Sequence, residues 1–304
     1  MSAQFPGEQS NEGQFKRQQD AFRHWVGTPE FPAEAGRYHL YVSWACPWAH
    51  RTIIARVIKG LQTVVGLTAV DPVRDDRGWA FTPDPDPLNG WAFLSEAYHA
   101  TDPAFRGRYT VPVLWDKQTK RIVSNSDDDI LRMFQTAFTG LATGPDLFPE
   151  AHRDEIDALN ERIYNEVNNG VYKAGFATSQ RAYEASAFKV FNALDELEGR
   201  LATRRFLITD HPVETDWRLF PTLVRFDAVY HGHFKCNLRT LASYPHLAGY
   251  MRDLYQQPGV GDTVRIDEIK RHYYITQDKI NPTQVVPIGP LLDFSAPPNR
   301  DHLS

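Results

Sequence analysis

Residues 41–51 of the chain read Tyr41-Val42-Ser43-Trp44-Ala45-Cys46-Pro47-Trp48-Ala49-His50-Arg51. Before Cys46, residues 38–43 alternate in polarity as a half-buried strand does. After it, apolar residues recur at helical spacing, at Ile53, Ile54, Val57, Ile58 and Leu61. Pro47 suits the first position of a helix, where its missing N–H has no intrahelical partner. The sequence therefore predicts a strand that leads into a helix, with Cys46 at the helix N-terminus.

A cysteine at a helix N-terminus faces unpaired backbone N–H groups and the positive end of the helix dipole. Both favour thiolate over thiol, so Cys46 is a candidate nucleophile. The alternative is a buried structural cysteine, because free cysteine is among the most buried residue types. Position 49 is alanine, so the motif has no C-x-x-C pair. A mixed disulfide at Cys46 then needs a second small thiol from solution, which predicts monothiol chemistry.

The bulk composition describes a globular protein. The chain has 304 residues, of which 42% are hydrophobic and 23% charged, and its net charge is −5. A net negative charge argues against nucleic acid or an anionic membrane as the main partner. No apolar run approaches the roughly 20 residues that span a bilayer. Residues 1–20 lack the apolar core of a signal peptide, and two cysteines fit a reducing compartment. These features predict a cytoplasmic protein.

The pattern along the chain divides it into four parts. Residues 1–35 form a polar N-terminal extension with Phe15, Phe22 and Trp25 as candidate anchors. Residues 36–140 mix strands and helices, 150–260 read as helical, and 261–304 form a C-terminal segment. This order predicts a thioredoxin-like α/β domain followed by an all-helical domain.

Within residues 36–140, strands are predicted near residues 38–43, 63–70, 109–115 and 121–123, with a long irregular stretch at 71–108. Pro112 interrupts the third of these strands, which indicates an edge, a bulge or a cis bond. Capping hydroxyls and acids at residues 124–129 predict a helix start. Helical segments are predicted around residues 151–168, 180–201, 216–230 and 244–257.

Several longer segments carry a resemblance to a known family. They are residues 31–34, 36–43, 45–51, 168–177, 216–220, 232–238, 269–274 and 280–283. Together they resemble the glutathionyl-hydroquinone reductases, the Xi class of glutathione transferases, from about residue 15 onward. The resemblance implies a thioredoxin-like domain, a helical glutathione-transferase domain to which the C-terminal segment adds site residues, and a homodimer built through the helical domain.

The resemblance also implies a reaction. Its substrate is a hydroquinone that carries glutathione on a ring carbon, and Cys46 attacks the glutathione sulfur. The hydroquinone leaves and Cys46 is left in a mixed disulfide, which a second glutathione resolves. In ordinary conjugating transferases a Ser or Tyr hydroxyl stabilises the glutathione thiolate instead. Glutathione is thus a co-substrate, and no metal is implied.

By resemblance, Tyr172 and Tyr273 line the hydroquinone pocket, where their hydroxyls bind the substrate oxygen or protonate the ring carbon. Tyr274 competes with Tyr273 for this role. Trp79 matches a tryptophan that packs on the bound thiol. For Tyr172, Tyr273 and Trp79 the alternative is a packed core aromatic.

Further matches concern glutathione itself. Val111, before Pro112, would pair its backbone with the cysteinyl part, as thioredoxin-like folds do through a cis-proline. Arg108 would meet a glutathione carboxylate.

One departure from the family pattern concerns the residues expected to bind glutathione. The family has Asn-Glu-Ser at the start of the helix after the third strand region, where Glu and Ser hold the γ-glutamyl end. Here the run is Asn125-Ser126-Asp127. Either Asp127 and Ser126 hold that end, or the enzyme prefers another small thiol, such as mycothiol, which has no γ-glutamyl group. A third interpretation is that the acids only cap the helix.

A candidate metal site and two other functional classes remain to be considered beside this reaction. Residues 231–236 contain two histidines and Cys236, but their spacing matches no common zinc site, so helix-end packing is favoured over metal binding. A non-catalytic ligand-binding or redox-sensing protein, and a conjugating transferase, remain as alternatives from different functional classes.

Overall fold

The computed structural model describes residues 6–303, which divide into two compact units. The first unit contains Gln19–Pro145 and Asp267–His272. The second contains residues 6–18, Asp146–Ile266 and residues 273–303. The domain limits expected from the sequence stay a prediction.

A four-stranded sheet organises the first unit. Its strands are β1 Tyr38–Val42, β2 Gly66–Ala69, β3 Val113–Asp116 and β4 Arg121–Ser124. The order is β2-β1-β3-β4, with β1 parallel to β2 and antiparallel to β3, and β3 antiparallel to β4. Helix α1, Pro47–Ile58, makes the crossover that a parallel pair requires. Helices α2, Ser95–Thr101, and α3, Asp127–Thr136, follow in the chain.

β1 is buried along its whole length, so the prediction of a half-buried strand was wrong. The segment between β2 and α2 explains the difference. Its Asp86 accepts a hydrogen bond of 3.0 Å from the Tyr41 hydroxyl, and its Phe81 ring packs 5.6 Å from the Tyr41 ring. The side of β1 that carries Tyr41 is therefore covered by a loop, whose Asp86 accepts the Tyr41 hydroxyl group's hydrogen bond.

The second unit is helical. Its helices are α4 Arg153–Ile163, α5 Gly170–Gly175, α6 Gln180–Leu201, α7 Glu214–Arg225 and α8 Pro245–Tyr255. Two π-helical turns, Tyr164–Asn168 and Phe226–Tyr230, continue α4 and α7. The thioredoxin-like and helical fold class predicted from the sequence is thus confirmed.

The start of α7 is fixed by one buried carboxylate. Asp216 accepts the backbone N–H groups of Val213 at 2.8 Å and Leu207 at 3.0 Å, and the hydroxyl of Tyr250 at 2.6 Å. A carboxylate that caps a helix in this way satisfies N–H groups that otherwise lack partners. This gives a structural role to the first residue of the motif at 216–220.

Three helices were not predicted. Helix α2 lies in the stretch expected to be irregular, α5 lies between the helical segments predicted around 151–168 and 180–201, and α9, Ile266–Thr276, lies in the C-terminal segment. Helix α2 has only seven residues and no side-chain cap, so its local signal is weak against the preceding prolines. Within residues 6–303, no helix is long and apolar enough to cross a bilayer.

A buried ion pair joins the beginning of β1 to the end of β3. The Arg37 guanidinium donates to both Asp116 oxygens at 2.9 and 2.7 Å, and their side chains are 6% and 0% exposed. Burial alone would raise the pKa of Asp116, but hydrogen bonds from Arg37, Thr119 and the Gln118 N–H outweigh it and lower that pKa. The pair therefore stabilises the fold above the ordinary aspartate pKa of about 3.9, and this contribution is lost as the pH falls through the lower folded value.

Replacing Arg37 by methionine leaves Asp116 buried without its cation, so we expect a loss of about 3 kcal/mol in the free energy of unfolding at pH 7. Urea titration measures the loss, which shrinks as the pH drops below about 4. The control is Arg77→Met, which removes an exposed pair with Asp75 and costs under about 1 kcal/mol. Equal losses in the two variants would contradict the prediction.

Candidate active site

Cys46 occupies the N-cap position of α1, with extended backbone angles of −77° and 122°. The backbone N–H of His50 donates to the Cys46 carbonyl at 3.0 Å, which closes the first helical turn. Cys46 is 8% exposed, whereas Cys236 is 0% exposed. Neither cysteine forms a disulfide. Of the two, Cys46 is therefore the thiol that a small molecule can reach, and it lies where the dipole of α1 favours the thiolate.

The loop before β3 brings a second element to Cys46. The peptide bond between Val111 and Pro112 is cis, which decides among the three interpretations of that proline. The Cys46 thiol donates to the Val111 carbonyl, with 3.7 Å between Sγ and oxygen. The expected pairing of Val111 with a thiol ligand stays a prediction, but its backbone lies beside the sulfur. Arg108, three residues earlier, is half-buried, and its role is likewise untested.

Two arginines bind the three aspartates at the start of α3. Arg51, in the first turns of α1, donates to Asp127 at 2.8 Å and Asp128 at 3.3 Å, while Arg23 binds both oxygens of Asp129. The Arg51 side chain is 2% exposed and lies 4.7 Å from the Trp48 ring centre. Arg51 therefore connects the helix of Cys46 to the acidic turn predicted to hold the γ-glutamyl group.

Ser126 is the N-cap residue of α3, as the run of hydroxyls and acids predicted. The backbone N–H of Asp129 donates to its hydroxyl oxygen at 3.4 Å. Because a hydroxyl both donates and accepts, Ser126 can cap the helix and still donate to a ligand carboxylate. Helix capping and thiol binding are thus compatible interpretations of this residue.

Trp79 is buried, at 5% exposure, and stacks on His272 with ring centres 5.1 Å apart and planes 22° apart. The His272 imidazole is oriented by its Nδ1–H, which donates to the Pro72 carbonyl at 2.7 Å. The Arg74 guanidinium lies 5.5 Å from the Trp79 ring centre. The indole is therefore held in one orientation by neighbours, and its predicted contact with a thiol ligand is untested.

Tyr172 on α5 and Tyr273 on α9 lie together in the second unit, where their hydroxyl oxygens are 2.5 Å apart. Tyr172 is 8% exposed and Tyr273 is fully buried. Burial, reinforced by the neighbouring Tyr172 and Tyr230, raises the pKa of Tyr273 well above its ordinary value. Tyr273 therefore stays protonated at neutral pH and can donate a hydrogen bond.

A third tyrosine completes this cluster and was missed in the sequence. Tyr230 is fully buried, and its hydroxyl oxygen lies 3.0 Å from that of Tyr273. It ends the π-helical turn that continues α7, and such turns occur frequently at functional sites. In the sequence, the signal that could have indicated Tyr230 as a site residue was its position two residues before the family motif at 232–238.

Tyr274, the competitor of Tyr273, makes different contacts within this unit, and the choice between them stays a prediction. The Tyr274 hydroxyl donates to the Ala228 carbonyl at 3.4 Å, and its ring packs 4.7 Å from His233. His233 in turn bonds Gln277 at 2.9 Å, and burial lowers its pKa to about 4. These contacts are those of packed helix ends.

Among residues 6–303, no group of three or more His, Cys, Asp or Glu side chains is arranged to hold a metal ion.

The predicted site residues therefore form separate groups in the two units. Cys46 and Val111 meet in the first unit, which also pairs Asp127 with Arg51 and Trp79 with His272. Tyr172 and Tyr273 meet in the second.

Comparison with known proteins identifies the family. The model of the glutathione S-transferase N-terminal domain matches residues 45–137, and that of the C-terminal domain matches residues 180–253. The glutathionyl-hydroquinone reductase YqjG of Escherichia coli is 47% identical, with 96% of this chain and 94% of YqjG covered. The chain belongs to the glutathionyl-hydroquinone reductase family.

Two further comparisons agree. The glutathionyl-hydroquinone reductase PcpF of Sphingobium chlorophenolicum is 45% identical, with 92% of this chain and 91% of PcpF covered. The glutathione-bound structure of E. coli YqjG superposes with a TM-score of 0.90 at 47% identity, and covers 93% of this chain and 96% of that one. The family resemblance drawn from the sequence motifs is thus confirmed. One relative of the same fold, YqjG, has been solved with glutathione bound.

Proposed function

We propose that this protein is a thiol-dependent reductase that removes glutathione from glutathionyl-hydroquinones. The observation that carries the proposal is the position of Cys46 at the N-terminus of α1, beside the Val111 carbonyl and with Ala49 in place of a resolving cysteine. Such a thiol forms a mixed disulfide that only an external thiol can resolve. Membership of the glutathionyl-hydroquinone reductase family supports the substrate class.

The reaction has two steps. In the first, the Cys46 thiolate attacks the glutathione sulfur, a disulfide forms, and the carbon–sulfur bond breaks. Its electron pair goes to the ring carbon, which takes up a proton. In the second, a glutathione thiolate attacks the mixed disulfide, which releases oxidised glutathione and the Cys46 thiolate. The two sulfurs of oxidised glutathione, one from the substrate thioether and one from the added thiol, thus supply the two electrons that reduce the ring carbon.

The tyrosine cluster fits the first step. When the carbon–sulfur bond breaks, its electron pair goes to the ring carbon. This step needs a proton donor for that carbon and hydrogen bonds to the quinol oxygens. The hydroxyls of Tyr172 and Tyr273 are bonded to each other, and Tyr273 is protonated at neutral pH. In this proposal they bind the hydroquinone and supply the proton, while Arg108, Trp79 and Val111 bind glutathione.

Glutathione is the thiol that the acidic turn favours. The γ-glutamyl group carries an ammonium and a carboxylate, which Asp127 and the Ser126 hydroxyl would bind respectively. The dipole and N–H groups of α3 add to the binding of the carboxylate. Mycothiol is the alternative. It has no γ-glutamyl group, and so no carboxylate at this position that the negative charge of Asp127 would repel. We also propose that the protein is cytoplasmic and that it forms a homodimer through its helical domain.

A comparison of thiols tests both the function and the choice of thiol. Wild-type protein is supplied with glutathionyl- and mycothiyl-hydroquinone, each with its matching thiol, and both products are quantified. We expect one hydroquinone and one oxidised glutathione per turnover, and little turnover of the mycothiol pair. Asp127→Asn should raise the KM for glutathione about tenfold, since the asparagine amide carries no negative charge to pair with the γ-glutamyl ammonium.

The matched control is Asp128→Asn. Asp128 is more exposed than Asp127, at 43% against 16%, and lies farther from Arg51. Its KM for glutathione should stay within about twofold of wild type, as expected of an exposed charge. An unchanged KM in Asp127→Asn, or faster turnover with mycothiol, contradicts the assignment of glutathione.

A further inference from the structure

The N-terminal extension has no role in the reaction as described so far. Within the second unit, residues 12 and 13 of the extension are hydrogen-bonded to the start of α6. The Thr178 N–H donates to the Gly13 carbonyl at 3.0 Å, and the Ser179 hydroxyl donates to the Glu12 carbonyl at 2.8 Å. Phe15 is 4% exposed, and its ring lies 5.3 Å from that of Phe176 at the end of α5. This part of the extension is therefore packed against the helix that carries Tyr172.

Arg17 follows this anchor and contacts Tyr172 directly. Its guanidinium carbon lies 4.9 Å from the Tyr172 ring centre and 5.4 Å from that of Phe15. Its Nε–H donates to the Asn169 side chain at 3.0 Å. Asn169 is the N-cap residue of α5, so Arg17 holds both the ring and the beginning of its helix.

A cation over the face of a phenol has two consequences. It fixes the ring, because the attraction depends on the guanidinium lying over the aromatic face. It also draws electron density from the ring toward the cation, which makes the hydroxyl a stronger donor. Both bear on the Tyr172 hydroxyl, which lies 2.5 Å from that of Tyr273.

We propose that Arg17 is a positioning residue for the first step of the reaction, through which the N-terminal extension becomes part of the tyrosine site. The proposal rests on the proposed function. Arg17 acts through Tyr172, so its effect falls on ring protonation and carbon–sulfur cleavage. The second step, in which a thiol attacks the mixed disulfide, needs no tyrosine and is independent of Arg17.

The test separates the two steps. Wild-type protein and Arg17→Met are mixed with a glutathionyl-hydroquinone, and the Cys46 adduct is followed by rapid quenching and intact-protein mass spectrometry. The isolated adduct is then mixed with glutathione, and its loss is timed. We expect Arg17→Met to slow adduct formation about tenfold and to leave adduct loss within about twofold of wild type.

Two matched variants complete the design. Arg17→Lys keeps a cation over the ring, so most of the rate of adduct formation should return. Arg181→Met removes an exposed arginine at the start of α6 and should change neither step. If Arg17→Met fails to fold, Arg17→Gln, which keeps an amide donor for Asn169, takes its place and should show the same selective loss.

Three outcomes overturn the proposal. They are an unchanged rate of adduct formation, equal slowing of both steps, and no recovery in Arg17→Lys. If wild-type protein forms no Cys46 adduct at all, the proposed function itself fails. If wild type forms the adduct and the variant matches it, only the role of Arg17 fails.

Discussion

Replacing Cys46 by serine lowers the reduction of glutathionyl-hydroquinones by at least about 10⁴-fold, because no covalent intermediate can form. A serine hydroxyl at the N-terminus of α1 cannot accept the glutathione sulfur as a disulfide. It can still stabilise a glutathione thiolate, as the hydroxyl of a conjugating transferase does. The variant should therefore lose the mixed disulfide in intact-protein mass spectra while keeping its affinity for glutathione.

The matched control is Cys236→Ser. Cys236 is fully buried, and burial raises the pKa of its thiol to about 12. Its thiol is therefore protonated at neutral pH and unreactive, so the control should keep wild-type turnover and form the adduct at Cys46. Reduction by Cys46→Ser at a rate close to that of wild type, or loss of activity in Cys236→Ser, would contradict the assignment of the nucleophile. If Cys46→Ser gains the ability to conjugate glutathione, the serine has converted a reductase into a transferase.

The junction of strand and helix at Cys46 was predictable because its signals are local. A strand pattern, a proline at the first helical position and helical spacing all lie within residues 38–61. The cap of α3 at Ser126 was predictable for the same reason. Family motifs then supplied Tyr172 and Tyr273, which no local pattern indicates.

The features that the sequence did not predict depend on contacts between distant segments. Arg51 and Asp127 are 76 positions apart, and Tyr230 and Tyr273 are 43 apart. Nothing near Asp127 indicates that its carboxylate is bound by an arginine from α1. The full burial of β1 likewise depends on a loop more than 40 residues later, whose Asp86 accepts the Tyr41 hydroxyl. Periodicity reports which face of an element is apolar, but it does not report what covers the other face.

The second large effect is expected at the tyrosine cluster. Tyr172→Phe and Tyr273→Phe should each lower kcat about 100-fold, within the range for loss of a general acid, because the ring carbon then lacks its proton donor. The two effects should not add, since the hydroxyls are bonded to each other at 2.5 Å and act as one unit. The double variant should therefore be little slower than either single one. The KM for glutathione, which reports the second step, should stay unchanged in all three.

The control for this prediction is the neighbouring tyrosine of the same helix. The Tyr274 hydroxyl bonds the Ala228 carbonyl rather than the cluster, so Tyr274→Phe should stay within about twofold of wild-type kcat. A loss in Tyr274→Phe equal to that in Tyr273→Phe would mean that both changes act through the packing of α9. Multiplicative losses in the double variant would mean that Tyr172 and Tyr273 act independently. Only a selective, non-additive loss supports a shared proton donor. If one proton reaches the ring through both hydroxyls, removing either hydroxyl already stops its transfer, and removing the second adds little.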